Sequence, residues 1–459
     1  MRRTSCSRRG RSTTARRSRW ASSSAWCPRT TSRSSRTTIC ARSPTTRRSR
    51  CAGASSPSST RCRASTTRTA RTSGSSRRTR TRARTTRKAR GRSSRSARRG
   101  SRAASLRVTV LSSTPPSPIE GSGTFVALDG LARGLTALGH TVDVRPLGFR
   151  SGFHTLDRWL YNAGVARRPP TGDLVVGVDL DGFLWARRRH GGGRFVVALK
   201  GIIADELRNE RGLVRWLLSI QARWERRNTQ RADRVLVPSR YSADIAGALY
   251  GVPVSRLAVV PEPIDLAEWR RRFDGVRAGV EAERGGVLCV ARLYPRKRVI
   301  DLLEAAALLR PRIAGLRIRI VGDGPEMPAL RAAHARLALG DTVALLGHVS
   351  RDTLALEYSR ARCFCLPTVQ EGFGLVFAEA MAAGLPVVAC RAAAVPEVVR
   401  EGETGLLVEP RTPAALAAAL ERVLEDDGMR KEMSMAGRTR VEELDLVPIA
   451  RRFLAAVAA

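Results

Sequence analysis

Residues 362–390 read RCFCLPTVQEGFGLVFAEAMAAGLPVVAC. The apolar run at 363–366 predicts a short buried strand, which Pro367 ends. A glycine-punctuated acidic loop follows, Glu371-Gly372-Phe373-Gly374. Leu375, Phe377, Ala378 and Met381 then fall at helical spacing. Gly384 marks the end of that helix, and Pro386 leads into a second strand at 386–389. The order is strand, loop, helix, strand. Gly372 and Gly374 stand where the backbone must pass close to something, and the helix N-terminus aims its N–H groups and positive dipole end at the same spot. Glu371, in the loop, and Glu379, about a turn into the helix, bracket that terminus. An anion site flanked by acids implies a ligand carrying both phosphates and hydroxyls, as a nucleotide sugar does.

The same alternation extends in both directions. Upstream, a strand at 287–290 leads into Ala291-Arg292-Leu293-Tyr294-Pro295-Arg296-Lys297 and a helix with Ile300, Leu303 and Ala307 on one stripe. Strands at 316–321 and 343–346 and a helix at 352–360 connect this to the opening stretch. Further back, a strand at 106–111, a helix at 124–138 and a strand at 141–144 form a βαβ opening, and strands follow at 174–178, 195–199 and 235–237. Residues 270–286 are polar. Helices at 413–424 and 447–458 close the chain. The expected class is α/β: two Rossmann-like lobes facing across a cleft. We expect residues 106–275 to form the N-terminal, acceptor-side lobe, 276–286 the linker, 287–440 the C-terminal, donor-nucleotide-binding lobe and 441–459 a C-terminal helix.

Residues 1–105 are of another kind. The 459-residue chain carries a net charge of +42, and this segment holds 32 Lys and Arg with no Asp or Glu, so the remainder is only +10. It contains no Leu, Val or Phe and cannot bury enough apolar surface to offset its ordering entropy, so disorder is expected. Three readings compete: a nucleic-acid-binding arm, a basic arm on an anionic membrane, or coding sequence read from a wrong start or frame. The Arg/Ser/Thr monotony favours the third. Trp20 and Trp26 are too few for a base-stacking platform, which makes a nucleic-acid partner an unfavoured expectation. Without an apolar h-region the segment is no secretory signal, and it resembles a transit peptide only loosely.

Other features weigh less. Gly121-Ser122-Gly123 before a helix mimics a dinucleotide fingerprint, but Val126 stands in place of the third glycine and the preceding loop is long, which argues against a nicotinamide cofactor. Asp179-Leu180-Asp181 is a D-x-D triplet; two carboxylates without further ligands favour a loop or acceptor-contact role over a metal site. Cys289, Cys363, Cys365 and Cys390 sit in apolar runs and read as small core residues, consistent with a reduced cytoplasmic setting. No apolar run approaches the roughly 18 residues of a spanning helix. Residues 207–234 are basic and amphipathic. They read first as a solvated helical face and second as an interfacial helix making peripheral contact with the inner membrane face, which a lipid-linked acceptor would need.

From Leu106 onward the chain resembles the retaining glycosyltransferases of family 4, which have the GT-B fold. The resemblance rests on an ordered set: Arg292 and Lys297; Val321-Gly322-Asp323-Gly324-Pro325; Glu371 and Glu379 framing Gly372-Phe373-Gly374-Leu375; Val395-Pro396-Glu397-Val398; and Gly402-Glu403-Thr404-Gly405. Gly139-His140-Thr141 and Val237-Pro238-Ser239 match in the first lobe. The resemblance implies that Arg292 and Lys297 neutralise the donor diphosphate in place of a metal, helped by the amides of 373–376. It implies that Glu379 accepts from the ribose, that Glu371 meets the donor sugar and reacting centre, and that Gly347-His348-Val349 lies by the nucleobase, with Gly123 approaching from the opposite lobe. No metal and no cofactor beyond the nucleoside-diphosphate sugar co-substrate are expected.

Three places depart from the family pattern. Lys200 stands where a His often touches the sugar, and is a candidate sugar or acceptor contact. Glu262-Pro263 replaces Asn-Gly, and Ala393-Ala394 replaces a glycine pair. The expected function is metal-independent, retaining sugar transfer to a glycan, lipid or small-molecule acceptor. The alternatives are a nucleotide-sugar epimerase or phosphorylase of the same fold, or a nucleic-acid-binding protein acting through residues 1–105.

Overall fold

The computed structural model describes residues 105–115, 122–148, 151–189, 193–276 and 285–459. The expectations placed on residues 1–104, on Gly121 and on most of the linker lie outside them. Everything below belongs to the compact unit Ser96–Ala459.

The first series runs β1 (Arg107–Leu111), α1 (Ser122–Ala137), β2 (Thr141–Arg145), α2 (His154–Arg167), β3 (Leu174–Val178), β4 (Arg194–Ala198), α3 (Ile203–Glu206), α4 (Gly212–Arg231), β5 (Arg234–Val237), α5 (Arg240–Tyr250), β6 (Leu257–Val259) and α6 (Leu266–Val276). The second begins with β7 (Val287–Val290), α7 (Val299–Leu309), β8 (Ile318–Val321), α8 (Met327–Arg336), β9 (Val343–Gly347) and α9 (Arg351–Arg360). It continues through β10 (Cys363–Leu366), α10 (Leu375–Ala382), β11 (Val387–Cys390), α11 (Val395–Val398), β12 (Gly405–Val408), α12 (Pro413–Glu425), α13 (Asp427–Glu442) and α14 (Leu446–Ala458).

Each series forms one six-stranded, all-parallel sheet, in the orders β2-β1-β3-β4-β5-β6 and β12-β11-β10-β7-β8-β9. The expected pair of Rossmann-like lobes is therefore present. Strands such as LVVGV and CFCL are buried at every position, because helices cover both faces of a parallel sheet. In each sheet the chain builds outward from its first strand and then returns to that strand's other side. The reversals fall between β1 and β3 and between β7 and β10. Loops leaving the carboxyl ends of those strands diverge and open a crevice.

The expected strand at 386–389 begins at Val387, because Pro386 has no N–H to contribute to the ladder; its carbonyl accepts from Phe364 N at 2.9 Å. The polar stretch from 270 starts as helix: α6 continues to Val276, carried by Leu266, Trp269 and Phe273 on one buried stripe. Trp269 meets Tyr358 of α9 edge to face, with ring centroids 5.5 Å apart. All four cysteines outside the first 105 residues are buried and free. No helix among the described residues is long and apolar enough to cross a membrane.

The helices at the junction cross over. α6 packs on α9 and α10 of the second lobe, while α14 packs on α1 of the first. Gly130 and Gly134, one turn apart on α1, make that second contact possible. A Cβ on Gly134 would lie 2.5 Å from the Leu446 carbonyl oxygen. Arg234 Nε donates to the Ala456 carbonyl at 3.0 Å, satisfying the last turn of α14 with a cation where the helix dipole favours one. Gly134→Val therefore overpacks this crossing, and we expect it to cost about 2 kcal/mol in urea unfolding. An unchanged midpoint would mean that α14 does not dock there.

Candidate functional site

A cavity of about 670 Å³ opens where the two crevices face each other. The loops after β1, β3, β7 and β10, the four strands flanking the two reversals, contribute to its walls, together with the loops after β4, β5 and β6 and parts of α2 and α4. Arg292, Arg296 and Lys297 enter from the loop after β7, and Glu371 through Val376 from the loop after β10 and the first turn of α10. Gly123 and Lys200 enter from the first lobe.

The local backbone accounts for the glycines. Gly374 is the N-cap of α10 at φ 90°, in the left-handed region that glycine accepts without strain. A Cβ on Gly372 would lie 2.9 Å from the Lys200 carbonyl oxygen of the other lobe. With no capping side chain at Gly374, the first turn of α10 presents backbone amides to the cavity.

Charge is arranged in pairs. Lys297 Nζ donates to Glu371 Oε1, and both side chains are largely buried. Arg296 stacks its guanidinium over Tyr294 at 4.9 Å and stands 3.7 Å from Glu206 across the cleft. Burial raises the Glu206 carboxyl, while Arg296 opposes that rise. Glu379 does not line the cavity; it is half-buried on α10 and accepts from the Tyr358 hydroxyl at 3.0 Å. Burial pushes its pKa up to about 7, against the pull of that hydrogen bond and of Arg351. Val349, following β9, packs against the core and does not line the cavity either.

The D-x-D triplet serves the protein itself. Asp181 is fully buried and accepts from Ser113 N at 2.6 Å, from the Ser113 hydroxyl at 2.8 Å and from Asn162 Nδ2 at 3.1 Å. It ties the loops after β1 and β3 to α2. Asp179, at φ 53°, accepts from Lys200 N at 2.8 Å and faces Arg158 at 3.7 Å. Among the described residues no group of three or more His, Cys, Asp or Glu side chains is placed to hold a metal ion.

The lobes touch through polar groups whose pairing the sequence did not show. Gln370 Nε2 donates to Asp205 Oδ2 at 2.8 Å, and the Tyr241 hydroxyl donates to the same oxygen at 2.8 Å. Glu397 accepts from the amides of Arg240 and Tyr241 at 2.7 and 2.8 Å, so a carboxylate of the second lobe caps α5 of the first.

Residues 277–440 match the family described as glycosyl transferases group 1, and residues 173–268 match glycosyltransferase family 4. Together the two cover more than half of the chain, and they meet at the cavity. The chain belongs to the family 4 glycosyltransferases.

Among curated relatives, the chain is 36% identical over 185 residues to a GDP-mannose-dependent alpha-(1-6)-phosphatidylinositol monomannoside mannosyltransferase of Mycobacterium tuberculosis, an alignment spanning 39% of the chain and 46% of the relative. It is 32% identical over 240 residues to the D-inositol 3-phosphate glycosyltransferase of Thermomonospora curvata, spanning 48% and 56%. The chain thus spans about half the length of the curated relatives it matches. Among solved structures, sucrose-phosphate synthase from Thermosynechococcus elongatus superposes with a TM-score of 0.62 at 22% identity, over 76% of this chain and 97% of that one. Anabaena HepE in complex with UDP and glucose superposes at 0.59 and 19% identity, over 77% and 99%. These likenesses establish the GT-B fold.

Two departures from the family 4 pattern prove to be linked in this chain. Lys200 Nζ donates to Glu262 Oε2 at 2.6 Å, with side chains only 11% and 7% exposed. The cation replacing His is neutralised by the acid replacing Asn. The third departure carries strain: Ala393 stands at φ 49°, a conformation that favours glycine, while Ala394 N reaches the Glu371 carbonyl at 3.3 Å.

Two outcomes follow for stability. Lys200→Met leaves a buried carboxylate unpaired and should cost about 3–5 kcal/mol in urea unfolding, whereas adding Glu262→Leu should recover most of the loss. Equal effects of the single and double variants would show that the pair is uncoupled. For Glu379, the folded pKa lies above the unfolded one, so its contribution is fully present below about pH 4.5 and is lost as pH rises through 7. Glu379→Gln should therefore melt higher than wild type at pH 8, with the difference vanishing near pH 4.5. A difference independent of pH would contradict the raised pKa.

Proposed function

We propose that the protein transfers a sugar from a nucleoside-diphosphate sugar to an acceptor hydroxyl with retention of anomeric configuration, using fixed cations rather than a metal to stabilise the leaving group. The observation that carries this reading is the meeting of Arg292, Lys297 and the α10 N-terminus on one wall of the interlobe cavity. As the bond between the anomeric carbon and the diphosphate oxygen breaks, negative charge grows on that oxygen. Preorganised cations and amides then stabilise the transition state more than the ground state. The acceptor oxygen bonds to the anomeric carbon from the face the diphosphate leaves, and its proton passes to the departing phosphate oxygen. Nucleoside diphosphate is the co-product.

Glu371 has two roles in this reading. Before donor binds it holds Lys297 in place. Once the ammonium turns to the diphosphate, the carboxylate is available to the sugar hydroxyls and the oxocarbenium-like centre. Glu379, ionised above about pH 7, stands behind the cavity wall on Tyr358 and accepts from the ribose once that hydroxyl releases it. The contacts of Gln370 and Glu397 across the lobes keep water from the donor while the acceptor enters from the first lobe. The epimerase, phosphorylase and nucleic-acid readings have no observation in their favour.

The test is a donor screen with UDP-, GDP- and ADP-sugars read by nucleoside diphosphate release. GDP-mannose is the first choice, because the name of the mycobacterial relative specifies it. We expect turnover that survives EDTA and a product whose anomeric configuration matches the donor. Lys297→Ala and Arg292→Ala should each lower kcat on the order of a hundredfold. Wild-type turnover in both variants would overturn the assignment of the clamp, and strict dependence on a divalent cation would overturn the metal-free mechanism.

A further inference from the structure

Two helices of the first lobe are built inside out. Of twelve large apolar side chains left exposed among the described residues, seven belong to α2, α4 and the residue that starts α2. Phe153, Leu156, Trp159 and Leu160 are 72%, 46%, 43% and 41% exposed, and their spacing lays them along one helical stripe. On α4, Leu213 and Trp216 are 69% and 59% exposed, and Val214, 52% exposed, stands at the cavity rim. The half-buried Leu217 and Ile220 extend the line of Leu213 and Trp216. The other five exposed apolar side chains sit singly on other elements.

The inward faces of the same helices are polar. α2 buries Asp157, Arg158 and Asn162 beside a single apolar Val165, and α4 buries Gln221, Glu225, Asn228 and Thr229 beside a single apolar Ala222. Arg158 Nη1 donates to Gln221 Oε1 at 3.1 Å and Gln221 Nε2 to Thr155 Oγ1 at 2.8 Å, so the two helices form one layer joined by hydrogen bonds. A surface helix in water normally does the reverse. An apolar outer face of this extent is stable only where something other than water covers it.

Charge identifies the cover. The only acids on α2 and α4 are Asp157 and Glu225, and both are buried. The exposed charges are all basic: Arg167, Arg215, Arg223, Arg226, Arg227 and Arg231. Burial and the guanidiniums of Arg187 and Arg227 also lower the pKa of Arg231, a sign of how densely the positive charge is packed. Apolar residues with tryptophan, surrounded by arginine, match a headgroup boundary rich in negative charge. A second copy of this chain matches poorly, because a two-fold contact would press one basic face against itself. The layer also reaches the cavity through His154, Arg158, Val214 and Leu218.

We infer that the outer face of α2 and α4 docks on a membrane surface containing anionic lipid, holding the first-lobe rim of the cavity at headgroup level. Docking itself is independent of the transfer reaction; that the acceptor is borne by the membrane rests also on the proposed sugar transfer.

The experiment uses the full chain with vesicles of phosphatidylcholine, alone or mixed with phosphatidylglycerol. Residues 1–105 can bind anionic vesicles through charge alone, so the decisive readout is insertion. Lipids brominated along the acyl chain should quench the protein's tryptophan fluorescence in phosphatidylglycerol-containing vesicles. Trp159→Phe together with Trp216→Phe should remove most of that quenching while the protein still floats with the vesicles. Quenching that is absent, or unchanged in the double variant, overturns the inference. Leu156→Ser with Leu213→Ser should weaken flotation in high salt on the order of tenfold. A nucleoside-diphosphate thermal shift that this variant retains would show that fold and donor site are intact. Concentration-dependent dimerisation without lipid, abolished by the same leucine variant, would instead assign the face to a second copy and overturn the inference.

Discussion

The backbones of the two lobes approach each other at Gly372, where a side chain would meet the Lys200 carbonyl of the opposite sheet. That proximity constrains everything around it. It places the first turn of α10 against the first lobe and seats Gln370 on Asp205. It also lets Glu397 cap α5 from across the cleft. Each of these bonds joins one lobe's loops to the other's, so the cavity is an interface whose two halves share their polar groups. The crossing of α6 and α14 holds the same interface from behind. Ile264 N donates to the Leu444 carbonyl at 2.9 Å where the two connecting strands of chain run side by side.

Within that frame the site keeps its charges matched. Lys297 is held by Glu371 on the second-lobe wall and Lys200 by Glu262 on the first-lobe wall. Asp181 is satisfied by three donors and positions the loops after β1 and β3. Burying so many charged groups is tolerable only because nearly every one has a partner in low dielectric. The polar interior of the first lobe also explains its unusual surface. α2 and α4 turn their hydrogen-bonding residues inward to line this network, which leaves their apolar residues facing out.

Much of the second lobe was legible because its signals are local. CFCL, Pro367, the Gly372–Gly374 loop and the Leu375–Met381 spacing each specify conformation within a few residues, and the structure differs by a residue or so at the ends. α2 was missed because its period places Phe153, Leu156 and Leu160 together with no sign of which face is inside, and Gly152 and Gly164 make the window look like loop. α6 was masked by Arg270, Arg271 and Arg272, whose polarity hides the stripe of Leu266, Trp269 and Phe273.

From the sequence alone came the strands other than β6 and β12, the glycine positions, the acids at 371 and 379, and the cations at 292 and 297, since backbone preference and apolar spacing act over short range. The sheet reversals, the crossing helices and the side-chain partners were decided only by the tertiary structure. Lys200 is a pocket cation by sequence and half of an ion pair in space, because Glu262, sixty-two residues away, reaches it only once β4 and β6 lie in the same sheet.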